Sequence, residues 1–184
     1  MPSILTLDEA KRQLRIPADD TSADTEIQAY CDGITPVIED YKREVIVQRT
    51  VTEDIEWVSQ GGRRFRLWSV PVISITSLTA VAGGQTWDPA GLRVTRDTGL
   101  VRVLSGPPLT CLAEAVYEAG YEVIPDHYKR GAAVVLQHTW ETQRGVGGRR
   151  AGVVGPEETY DPRWSYTIPR KALEWLGASR PVVG

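Results

Sequence analysis

Histidine and cysteine are scarce: two of each in 184 residues. Cys31 and Cys111 are far apart in sequence, form no CxxC pair and have no histidine nearby, so a zinc site or thiol redox motif has no ligand set to start from. Each cysteine sits in an apolar run (AYCDGI and LTCLAEAV), where a free thiol behaves as a small buried hydrophobe, and no disulfide is expected. No apolar run approaches the roughly 20 residues that a membrane span requires. The opening MPSILTLDEA has no basic n-region, so no secretory leader is expected and a cytoplasmic chain is expected. Basic excess is missing as well: 21 Lys and Arg stand against 24 Asp and Glu, a net charge of −3. A protein that grips duplex DNA by its phosphates usually carries a clear surplus of positive charge. A groove-reading DNA binder is therefore not expected, although a mild acidic balance suits a protein that DNA slides past.

What is present is ordinary globular material, with 41% hydrophobic and 24% charged residues, enough to build a core in one domain or two subdomains. Thr6-Leu7-Asp8-Glu9 is a capping box, opening a helix with Leu7, Ala10 and Leu14 on one face and ending before Pro17. A second helix runs from Asp24, with Ile27, Tyr30, Cys31, Ile34, Val37, Ile38 and Tyr41 at helical spacing. Pro36 interrupts it and predicts a kink near Gly33. The two should form an antiparallel hairpin.

At Val45 the period changes from helix to strand. Val45, Val47, Val51, Ile55 and Trp57 share a face on which Arg49 and Glu53 intrude, so that face is partly buried or pairs the two charges. A turn at Ser59–Gly62 leads to a strand from Arg63 to Trp68, then a strand from Val72 to Val81, and short strands at Leu92–Val94 and Leu100–Leu104. Leu112 to Tyr121 permits helix or strand; Val116, Tyr117 and Tyr121 favour a strand. Val123-Ile124-Pro125-Asp126 starts a helix that buries Tyr128, Ala132, Val135, Leu136 and Trp140. Gly145–Gly155 reads as a flexible loop. A short helix from Arg170 to Leu176 should stop at Gly177. The fold class is α+β with antiparallel strands: an N-terminal helical hairpin, a β-rich middle, a further helix, then an extended Gly/Arg-rich loop and a short C-terminal helix. The domain reading is 1–144, divided at 44/45 and 122/123, followed by a C-terminal arm 145–184 with its helix at 169–177.

Chemistry is hard to find. His127 and His138 lie eleven residues apart on one predicted helix, about 16 Å along its axis, too far to share a metal. Asp126 and His127 are adjacent on a helix and point different ways. There is no G-x-S-x-G elbow or Walker loop, and Gly145-Val146-Gly147-Gly148 lacks the strand-to-helix context of a phosphate cradle. No catalytic residue, metal or cofactor is assigned. Two arginine clusters remain, Arg63, Arg64 and Arg66, and Arg144, Arg149 and Arg150, each read as solvated surface, a protein contact or a glancing phosphate contact. Of six tryptophans, Trp68, Trp87, Trp164 and Trp175 fall in segments with little periodicity, where large aromatics serve as interface anchors as readily as core.

The ordered set of segments resembles the head–tail connector (adaptor) family of long-tailed bacteriophages. The residues carrying the resemblance are Leu5 to Lys11 with Leu14 and Ile27 to Tyr41, for that family's opening hairpin. Val47 to Thr52 and Leu67 with Ser69-Val70-Pro71-Val72-Ile73-Ser74-Ile75 are similar to its strands. Val116-Tyr117-Glu118-Ala119-Gly120-Tyr121, then Ile124-Pro125 and a helix to Trp140 and Arg144, is similar to its "V-x-Y-x-A-G-Y" stretch and following helix. Pro36 and the long Gly145–Pro162 loop depart from the family pattern. The resemblance implies a non-enzymatic virion neck protein: a homo-oligomeric ring of twelve beneath the portal protein, with double-stranded DNA threading its lumen without sequence-specific binding. A head-closure (stopper) or tail-terminator protein would dock below. It further implies an arm, 145–184, that orders on the portal, through Arg149, Arg150, Trp164, Tyr166, Ile168, Leu173, Trp175 and Leu176. Arg64, Arg66, Trp68 and Trp87 are the expected subunit-interface residues. The alternatives are a head-closure or tail-completion protein and, further off, a small hydrolase or a partner-binding β module.

Overall fold

The structure is a computed structural model that describes residues 3–55, 62–143 and 168–179. The chain forms two compact units, one helical, from the two ends of the sequence, and one β-rich, from residues 43–124. The α+β class and the order of elements are those expected.

In the helical unit, α1 (Leu7–Leu14) carries the anticipated capping box: the Glu9 amide donates to Thr6 Oγ1 at 3.2 Å and the Thr6 amide to Glu9 Oε2 at 2.9 Å. The helix ends at Arg15, whose φ of 59° closes the last turn. Lys11 is buried, its ammonium held by Asp24 at 2.5 Å and by the Ala18 carbonyl at 3.2 Å, so one side chain fastens the loop between α1 and α2 (Asp24–Lys42). α2 runs through Pro36 to Lys42, where a kink was expected near Gly33. Proline removes a single ladder bond, so the helix continues on both sides of it, where Ile34 and Ile38 are buried. The Thr35 hydroxyl donates to the Cys31 carbonyl at 2.9 Å and accepts the Ile4 amide at 3.1 Å.

α3 (Asp126–Gln143) buries Tyr128, Ala132, Val135 and Leu136. It is joined to α1 by Lys129–Glu9 at 2.7 Å and Gln13–Gln137 at 2.9 Å, and to α2 by an edge-to-face contact of Tyr30 with Trp140. α4 (Arg170–Leu176) packs on α3 where Gly131 leaves room: a Cβ there would lie 2.5 Å from Leu176 Cδ2.

The β unit holds a four-stranded sheet, order β1-β7-β3-β4, and a three-stranded sheet, order β2-β6-β5, all antiparallel. The strands are β1 (Arg49–Ile55), β2 (Arg64–Arg66), β3 (Val72–Ala80), β4 (Thr86–Trp87), β5 (Leu92–Thr95), β6 (Leu100–Val103) and β7 (Ala113–Ala119). The segment that permitted either state, 112–121, is therefore a strand, and a central one. Its inward residues Ala113, Ala115, Tyr117 and Ala119 share one core with Val72, Leu78, Phe65, Leu67, Val101 and Val103, so the buried faces of both sheets meet. Gly120 ends β7 at φ +114°; a Cβ there would lie 2.8 Å from Gln48 Cα, in a backbone region that side chains rarely enter.

Candidate functional site

Among the described residues no three His, Cys, Asp or Glu side chains converge as a metal site. Cys31 and Cys111 are free thiols, and burial, helped by the charges of Asp32 and Glu9, pushes the Cys31 thiol up to about 11. No helix among the described residues is long and apolar enough to cross a membrane. What the fold presents is surfaces, and the most defined one is the loop joining β2 to β3.

That loop, 67–71, is bonded at every residue. The Leu67 amide donates to Gly99 O at 2.9 Å. The Trp68 amide reaches both carboxylate oxygens of Glu53 at 3.1 Å, and the Ser69 amide reaches the Tyr117 hydroxyl at 3.1 Å. The carbonyls of Val70 and Pro71 accept from Val45 at 2.7 Å and Gly120 at 2.8 Å. Tyr117 in turn donates to Glu53 at 2.5 Å. Burial first, then this hydrogen bond to a carboxylate, raises the Tyr117 pKa well above the ordinary phenol range. Glu53, the charge that interrupted an apolar face in the sequence, thus serves as the acceptor that ties a loop to the sheet.

The product of this tying is a rigid backbone that holds Trp68 out in solvent, 69% exposed, with the Arg66 guanidinium 5.7 Å from its ring centre. Arg66 Nε also donates to the Thr98 carbonyl at 3.1 Å. A large exposed aromatic on an ordered backbone loses little entropy on binding, which is the property of an interface anchor. Arg64 lies one turn of the strand pleat away, on the same face of β2 as Arg66.

Trp87 is a correction. It was expected as an interface residue on a turn, but it lies in β4, only 4% exposed, with Nε1 donating to Pro107 O at 2.9 Å. A two-residue strand gives no periodicity to read, yet it delivers the ring into the shared core with its one polar atom satisfied.

The C-terminal set divides in the same way. Leu176, expected to bind a partner, is 2% exposed and packs against Gly131 of its own helical unit. Leu173 and Ile168 are half-buried. α4 is thus already docked, and the expected free arm does not include it. Its last carbonyls are held by Lys42, which donates to Leu176 O at 2.8 Å and Ala178 O at 2.6 Å, and by the Tyr41 hydroxyl on Gly177 O at 3.2 Å. A lysine at that end also complements the helix dipole. Trp175 is left outward, 43% exposed, with the Arg130 guanidinium 5.3 Å from its ring centre. Arg149, Arg150, Trp164 and Tyr166 lie outside the described residues, as do Trp57, Arg144, the Gly145–Gly155 loop and the turn expected from Ser59.

The class defined by this geometry is an α+β chain with a helical unit and a two-sheet β unit that leaves Trp68 and Trp175 exposed. Solved structures share that fold along nearly the whole chain. One is a chain from the neck of an empty gene transfer agent (GTA) particle determined with C6 symmetry: TM-score 0.66, 20% identity, covering 98% of this chain and 92% of that one. A chain from the virion of a native GTA particle gives TM-score 0.63 at 18% identity, covering 98% and 92%. A third, from the neck of a native GTA particle determined with C12 symmetry, gives 0.59 at 15% identity, covering 100% and 97%. No protein-family model and no curated protein matches the sequence.

Proposed function

We propose that this chain is a structural subunit of a particle neck: a head–tail connector that packs with copies of itself into a ring, twelve-fold in the assembled particle. In this reading the ring sits beneath the portal, duplex DNA passes through its lumen, and a head-closure or tail-terminator protein docks below. The observation that carries the reading is the shared fold with neck chains, which spans 92% or more of each chain in the comparison instead of one module. A ring closes by heterologous contacts, which need two different complementary faces on each subunit. Trp68 with Arg66 on the β unit and Trp175 with Arg130 on the helical unit supply two distinct aromatic–cation anchors of the kind such contacts use. Trp68 and Arg66 are proposed for the contact between subunits. Trp175 is proposed for the portal, together with Ile168 and the residues of the arm, Arg149, Arg150, Trp164 and Tyr166.

The test is reconstitution on purified portal. The full chain should add to the portal as a ring of portal stoichiometry, read by mass photometry, and Trp175→Ala should weaken that addition. A chain that ignores the portal but joins a preformed portal–connector complex would be a head-closure protein instead.

A further inference from the structure

The register of the three-stranded sheet sets three arginines side by side. Arg64 of β2 faces Arg102 of β6, and Arg102 faces Arg93 of β5, so the three form one row straight across the sheet. All three are exposed, while the row beneath them in the pleat, Phe65, Val101 and Val94, turns toward the core. The other outward strand positions are Arg66, Leu100 and Thr95, so none of the described strand residues on this face is acidic. None of Arg64, Arg93 and Arg102 has a carboxylate partner among the described residues.

Like charges directly opposite one another across strands destabilise a sheet. Here two such pairs share the central Arg102, in a chain whose net charge is −3. The two sheets carry opposite signs on their outward faces: on the four-stranded sheet Asp54 faces Glu114 across β1 and β7, with Glu118 on the same face and no basic strand residue beside them. The arginine row is a cost to the fold that a polyanion would offset. Its chemistry separates a phosphate chain from an acidic protein surface. Protein interfaces centre on apolar or aromatic anchors; the row Arg64, Arg102 and Arg93 contains none, the exposed Trp68 standing beside Arg66 at the end of β2. Contacts that hold DNA without reading it are made by such cationic, polar surfaces. With strands about 4.8 Å apart the row spans about 10 Å, against one phosphate charge per about 1.7 Å of duplex axis. That density attracts a duplex while leaving it free to slide.

We infer that the outward face of the β2-β6-β5 sheet, through Arg64, Arg93 and Arg102, is the surface that meets the phosphates of duplex DNA passing through the ring. The inference rests on the neck reading for the ring, but not for the anion chemistry. The acidic remainder of the chain then keeps the contact local and weak.

The experiment uses the full chain and a fluorescein-labelled duplex of mixed sequence, followed by anisotropy as salt is raised. If all three arginines reach phosphates, the log–log salt slope should be steeper by about 2.7 in the wild type than in R64Q/R93Q/R102Q. Between about 50 and about 200 mM salt the wild type should then lose about 40-fold more affinity than the variant. The lysine triple, R64K/R93K/R102K, should keep the slope, and the glutamine triple should melt no lower than wild type, since repulsion is relieved. Equal slopes for wild type and the glutamine triple would overturn the inference. So would binding to poly-glutamate with none to DNA, which would assign the face to an acidic protein. Copy number in particles is read separately. A chain absent from particles whose DNA binding still needs the arginines would sink the neck reading and leave the phosphate face standing. A chain present at ring stoichiometry with arginine-independent binding would do the reverse.

Discussion

Tyr117→Phe removes one oxygen from the middle of the β unit. That oxygen donates to the Glu53 carboxylate and accepts the Ser69 amide, and the phenol is fully buried. A hydrogen bond to a charged group contributes about 1.5–3 kcal/mol, and an amide left without its acceptor costs about 1–3 kcal/mol more. Glu53 keeps the Trp68 amide, and Ser69 is only half-buried, so the sum falls short of both maxima: a loss of about 3 kcal/mol. For a chain of this size that lowers the melting midpoint by about 6–12 °C. Calorimetry or urea titration measures it, and Glu53→Gln with the double variant closes a cycle whose coupling should exceed about 1 kcal/mol. The pH dependence has a definite sign. Because the folded phenol is held above its unfolded value, near 10, the stability it adds is complete below about pH 10 and is lost as pH climbs toward the folded value. The phenylalanine variant should lack that alkaline loss. A change below about 0.5 kcal/mol, the range of an unremarkable surface substitution, would refute the view that this hydroxyl fastens the Trp68 loop.

Lys42→Met should free the end of α4 by leaving the Leu176 and Ala178 carbonyls without their donor, at a cost of at least about 2 kcal/mol. Hydrogen exchange should then speed up across 170–178 while α1 is unaffected; unchanged protection there would contradict the clamp. Cys31, with its thiol pushed up to about 11, should resist alkylation at neutral pH in the native chain, while the half-buried Cys111 reacts first. Equal rates by mass spectrometry would contradict the burial argument. Burial acts to raise the Glu9 pKa, but the Lys129 hydrogen bond and the Thr6 amide and hydroxyl together bring it below its usual value. Glu9→Gln should therefore cost stability near pH 7, and the gap from wild type should close as pH falls through the lowered value.

Where periodicity was long, the sequence could be read directly. The Thr6–Glu9 capping box, the stripe Ile27, Cys31, Ile34 and Ile38, and the stop at Gly177 are local signals set by neighbours a few residues away. The 112–121 segment was ambiguous because alanine and glutamate suit a helix. What decided it was its position between β1 and β3, a tertiary fact. Trp87 was misplaced for the same reason, since a two-residue strand has no period. The candidate surfaces were half legible. Arg64, Arg66 and Trp68 stood out as a cluster, but Arg93 and Arg102 join Arg64 only through strand register, which no linear pattern displays. Likewise Glu53 looked like a flaw in an apolar face until the fold brought Tyr117 and the Trp68 amide to it.

The central claim, a neck ring subunit, is tested most directly by counting. Quantitative mass spectrometry of purified particles should find this chain in one-to-one ratio with the portal protein. Its absence from the particle would contradict the connector account.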